Sequence, residues 1–133
     1  MKVVMLTKDP MKFFTYSWRV IFIYQTPIMI ATYYNFIDIV AILLRRSDID
    51  LNTRTISGAT VLMTAVDNGF FDIVSLLTLD IAHKNLEINA RNNRGLSALA
   101  LAVGRNDIRT IQLLLDCPGI DPNTKGPNGV CLV

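Results

Sequence analysis

Histidine occurs once in this 133-residue chain, at His83, and cysteine twice, at Cys117 and Cys131. Three soft ligands at irregular spacing fall short of the four that a structural zinc site takes from paired short motifs, so no metal is expected. A Gly-rich phosphate loop, a His-Glu-x-x-His helix and a Gly-x-Ser-x-Gly elbow are all missing. Cys117 with His83 is the one nucleophile and base pair on offer. Cys117, however, ends a leucine run, where an inert thiol is the common case. The chain therefore reads as one without catalysis and without a cofactor. An excess of charge is lacking as well: 13 basic against 11 acidic residues leave a net +2, too little for a surface that tracks phosphates, and nucleic acid is not an expected partner. The two cysteines read most simply as reduced thiols in an intracellular, cytoplasmic protein, with a disulfide between them left open.

Charge is absent altogether from residues 20–37, an 18-residue window long enough to be weighed as a membrane span. Gln25, Thr26, Pro27, Thr32 and Asn35 interrupt it, and Asp38 follows at once. Basic residues flank both sides, with Lys2, Lys8, Lys12 and Arg19 before and Arg45 and Arg46 after, which gives no topological bias. A membrane-associated protein anchored by its N-terminal third is thus the rival reading. A cleaved leader does not fit, because Lys8 and Arg19 cut the early apolar runs and no small-residue cleavage pattern follows.

What is present is repetition. Asn52 with Gly58, Asn89 with Gly95, and Asn123 with Gly129 are each six residues apart. The Asn positions are spaced by 89 − 52 = 37 and 123 − 89 = 34 residues. An apolar-acidic-x triplet precedes each: Ile49-Asp50-Leu51, Leu86-Glu87-Ile88 and Ile120-Asp121-Pro122. The recurring carboxylates and Asn side chains are expected to bond local turn backbone. Between these marks Thr26-Pro27-Ile28-Met29-Ile30-Ala31 aligns with Thr60-Val61-Leu62-Met63-Thr64-Ala65 and with Ser97-Ala98-Leu99-Ala100-Leu101-Ala102. Four residues after each final Ala stand Asn35, Gly69 and Asn106, the residue types that enter the left-handed region most cheaply, so a chain reversal is expected there. Each reversal leads into a second apolar run, with Ile39-Val40, Ile73-Val74 and Ile111 followed by leucines at helical spacing. Helices of about nine residues do not persist alone in water, so the units must share apolar faces with their neighbours.

This ordered set resembles the ankyrin repeat family, whose unit of about 33 residues opens with Thr-Pro-Leu-His-x-Ala. The resemblance covers roughly residues 26–129. It implies an all-α solenoid of about three helix-turn-helix units with projecting hairpin-like turns, approximately 26–57, 58–94 and 95–128. Residues 1–25 do not fit the unit and are expected to be an atypical segment or degenerate cap, and residues 129–133 the truncated start of a further unit. Pro survives only as Pro27, and the family's His is replaced by Met29, Met63 and Ala100. Three extra residues between Leu77 and Glu87 either lengthen the second helix or bulge after it.

The resemblance further implies a protein partner, held on a concave surface of turn tips and first-helix residues. Carried over by position, the partner-binding residues are Ile56, Ser57, Ala59, Asn93, Arg94 and Leu96 at the tips and helix openings. Tyr33, Tyr34, Asp67, Asn68 and Arg105 stand before the reversals, and Arg54, Arg91 and Lys125 lie beside the tips. Four bases and no acids occupy the tips, which points to an acidic segment of the partner and to a monomeric binding module or scaffold segment. The family resemblance also marks Asn52, Asn89 and Asn123 as positions open to hydroxylation.

Overall fold

Hydroxyl residues start each inner helix. The computed structural model of the chain describes residues 25–79 and 85–124. The readings placed on residues 1–24, on His83, and on Lys125, Gly129 and Cys131 fall outside the described residues. Thr26, Thr60 and Ser97 sit in extended backbone as N-caps of α1 (Pro27–Tyr33), α3 (Val61–Asp67) and α5 (Ala98–Gly104). Their side-chain oxygens accept from the backbone N–H of Met29, Met63 and Ala100 at 3.4, 3.3 and 3.2 Å, satisfying donors that the helix cannot pair itself. Pro27 occupies the first turn, where its missing N–H costs nothing.

Each inner helix stops in the same way. Asn35, Gly69 and Asn106 adopt φ of 59°, 73° and 56°. The next residues, Phe36, Phe70 and Asp107, donate back to the carbonyls of Ala31, Ala65 and Ala102 at 2.8, 2.9 and 3.1 Å. This is the Schellman arrangement, and it explains the recurrent alanine: each is buried at the point where the chain folds back over it. The outer helices then run as α2 (Ile37–Leu44), α4 (Phe71–Thr78) and α6 (Ile108–Leu115). Inner helices have seven residues and outer ones eight, somewhat shorter than the nine expected. α4 has the same eight residues as α2 and α6, and residues 80–84, where the extra residues fall, lie outside the described residues.

Among the described residues these six helices form two rows. The inner row packs α1 on α3 on α5, and the outer row α2 on α4 on α6, each outer helix resting also on its own inner partner. Between the rows lies one continuous core in which Ile28, Val40, Leu62, Ile73, Leu77, Leu99 and Leu114 are sealed from solvent. At Asp107 the third unit caps its outer helix with a carboxylate, which accepts from Thr110 N at 3.2 Å and Thr110 Oγ1 at 2.7 Å. The Thr110 hydroxyl is the main cause of a carboxyl pKa below its usual value. That contribution to stability is present above the unfolded-state carboxyl pKa and is lost as pH falls through the lowered one.

The loops are joined across units as well as within them, which corrects one expectation about the Asn side chains. Asp50 and Asp121 do bond local backbone, accepting from the N–H of Asn52 and Asn123 at 2.8 and 2.9 Å. The Asn amides instead reach the following unit. Asn52 donates to Asn85 O at 2.7 Å and accepts from Glu87 N at 2.9 Å. Asn89 repeats the pattern with Gly119 O at 2.7 Å and Asp121 N at 2.8 Å. An amide serves here because one donor and one acceptor are needed on the same side chain. Asn89→Ala is expected to cost about 1–2 kcal/mol for two exposed bonds, read as a lower urea midpoint at unchanged slope, with Asn89→Asp intermediate because it keeps the acceptor.

Among the described residues no helix is long and apolar enough to cross a membrane. The charge-free window is divided: α1 ends within it at Tyr33, and the chain turns back at Asn35.

Candidate functional site

Two hairpin tips stand at one edge of the inner row. In the first, Thr55 N donates to Ala59 O at 2.9 Å, and in the second Asn92 N donates to Leu96 O at 2.9 Å. Side chains set the turns: Thr55 Oγ1 accepts from Ala59 N at 3.1 Å, and Asn92 Oδ1 accepts from the N–H of Arg94 and Leu96 at 2.9 and 3.0 Å. Gly58 and Gly95 supply the positive φ, 78° and 77°, that closes each tip. The tips also hold one another, since Asn93 donates through its backbone N–H to Ser57 O at 2.9 Å and through Nδ2 to Ile56 O at 2.8 Å.

Below the tips the inner helices line an open groove of about 400 Å³. Tyr33, Ser57, Ala59, Asp67, Asn68 and Arg94 all border it, so six of the sequence-predicted residues come together on one surface. Sequence reasoning did not single out Met29, Met63, Thr64 and Leu101, which also line it. The available signal was helical spacing: Met29 and Met63 lie four residues before Tyr33 and Asp67, one turn back on the same face.

The remaining predicted residues divide by what they touch. Arg54 donates from Nη1 to Arg91 O and lies 3.7 Å from the Glu87 carboxylate, so it joins two units. Arg105 does the same between reversals, donating from Nη1 to Asp67 O at 2.7 Å. Asn93 bridges the tips as described. Among the described residues the guanidinium groups of Arg91 and Arg94 make no hydrogen bond or ion pair, and both are exposed. Tyr33 and Tyr34, at 46% and 44% exposure, are not consumed by helix packing; they meet edge to face at 5.2 Å, and Tyr34 stacks on Phe36 at 5.6 Å. Ile56 projects from its tip, and Leu96 borders a second depression beside the groove.

No set of three or more His, Cys, Asp or Glu side chains is grouped to hold a metal among the described residues. Cys117 is a free, buried thiol whose Sγ–H donates to Leu113 O at 3.2 Å. Burial is the main cause of its raised pKa, which keeps it protonated and unreactive.

The ankyrin repeat model, three copies, matches residues 28–126. The chain belongs to the ankyrin repeat family. It is also similar to an ankyrin repeat domain-containing protein, SAT10, of Stachybotrys chartarum, with 34% identity over 84 residues. That match takes in 62% of this chain and 4% of the relative, so the chain spans a small part of the protein it resembles. Ankyrin repeats are generally protein–protein interaction modules and typically non-catalytic. The paired helices, reversals and tips described above are therefore three ankyrin units.

Proposed function

We propose that this ankyrin array binds another protein in the groove beneath its tips and carries no catalysis of its own. The observation that supports it is the convergence of Tyr33, Met63, Asp67 and Arg94 on one open, pre-formed surface built on helices. Such a surface binds without first being ordered. Tyr33 offers amphipathic contact area, and Arg91 and Arg94 offer cationic charge not used elsewhere among the described residues. With Cys117 a free buried thiol, the proposed setting is a monomer in the cytoplasm. A second reading, an interaction segment of a larger polypeptide, is favoured by the small share of the similar fungal protein that the matching stretch occupies.

Affinity capture with mass spectrometry tests the proposal. Partners retained by the chain are expected to be lost with Tyr33→Ala and with Arg91→Glu combined with Arg94→Glu, and the salt dependence of capture to flatten in the latter. Arg54 is spared because reversing it would also break a contact between units. Capture that is identical for all three proteins would end the groove proposal.

A further inference from the structure

The groove carries charge of both signs, in a fixed order. Arg94 stands on a hairpin tip and Asp67 at the last residue of α3, where the chain reverses, and both border the groove. Among the described residues neither the Arg94 guanidinium nor the Asp67 carboxylate has a hydrogen-bond or ion-pair partner, although the Asp67 carbonyl is held by Arg105. A purely acidic segment laid across this surface would meet Arg94 favourably and Asp67 unfavourably.

Beside the groove lies a second depression of about 380 Å³, lined by Leu96, Ala100, Leu101, Val103 and Gly104, with Asp67 and Arg105 at its rim. Its origin is legible in the alignment of the units. Where the first two carry Met29 and Met63, the third has Ala100, and where they carry Tyr33 and Asp67 it has Gly104. Two successive side chains on one helix face are thus trimmed away. The exposed floor is aliphatic, and Leu101 and Asp67 belong to both hollows.

We infer that the partner presents an extended segment carrying three features together: an acidic residue for Arg94, a basic residue for Asp67, and a large apolar side chain that enters the depression over Ala100 and Gly104. This rests on the groove reading above and specifies what the groove selects. The hollow of the third unit, lined by half-buried Leu96, Leu101 and Val103, discriminates by size. The opposed charges fix the direction in which the segment lies.

Gly104 makes the hollow testable without unfolding the chain. A Cβ built there meets nothing within 4 Å, and the residue ends a helix, so Gly104→Leu fills the space and improves helix propensity. A displayed library of random peptides would be selected on the full chain. Recovered peptides are expected to share one acidic, one basic and one large apolar residue. A synthetic copy of the best should bind Gly104→Leu at least about tenfold more weakly, while the thermal midpoint of that variant does not fall. Selection on Asp67→Lys should exchange the basic residue for a second acid. Peptides that are uniformly acidic, and insensitive to Gly104→Leu and Asp67→Lys but weakened by Arg94→Glu, would overturn this inference and leave the groove proposal standing. Peptides indifferent to all of these and to Tyr33→Ala would overturn both.

Discussion

Leu62→Ala should lower the stability of the array by about 2–5 kcal/mol and loosen all three units together. Leu62 lies on α3, the central inner helix, is 1% exposed, and belongs to the continuous core beside Ile28 and Leu99. Removing its isobutyl group leaves a cavity that cannot close by local collapse, because α3 is held on one side by α1 and on the other by α5. A chain of this size has a total stability of about 5–15 kcal/mol, so the loss is a large fraction of it. In a solenoid the middle unit also supplies both interfaces, and weakening it removes support from the ends. Native-state hydrogen exchange should show amides of α1 and α5 losing protection along with those of α3. Full retention of protection at the two ends would contradict a shared core.

Gly58→Val should be nearly as severe, for a different reason. At φ 78° a β-branched residue is strained by about 1–3 kcal/mol on backbone grounds alone. In addition, a Cβ at Gly58 would stand 2.8 Å from the backbone N of Asn93 and closer still to its side chain. That is the group whose N–H and amide tie the two tips through Ser57 O and Ile56 O. The substitution therefore strains one tip and pushes off its neighbour, deforming the wall of the groove. Gly119 provides the comparison: its φ is 80°, yet a Cβ there meets nothing within 4 Å. Gly119→Val should show the backbone cost without the clash. Equal losses in thermal midpoint for the two variants would mean that the tip-to-tip contact contributes nothing.

The sequence predicted the helices and their ends well because those features are local. Thr60 as a cap, Ala65 under the reversal and Gly69 in the left-handed region each act within a few residues, and their spacing recurs in every unit. The distinction between Arg54 and Arg94 was not legible. Both are tip arginines, but one donates to a carbonyl 37 residues away and the other borders the groove. Nothing in the neighbouring residues of either encodes that difference; it arises from how one unit is set against the next. The partners of Asn52 and Asn89 were hidden for the same reason, since an Asn before a turn serves equally well as a local cap. The groove itself was half visible. Its rim followed from position in the repeat, while Met29 and Met63, read in the sequence only as replacements for the family's His, are buried beneath it.

The Asn bridges carry a consequence for how such a chain can change length. Asn52 reaches partners 33 and 35 residues ahead and Asn89 partners 30 and 32 ahead. The two spans differ by the three inserted residues, yet both end on the same pair of backbone groups. The clasp thus fixes the pitch of the stack regardless of how much chain lies upstream of it, so residues can be added or removed there while the spacing of the binding face stays constant.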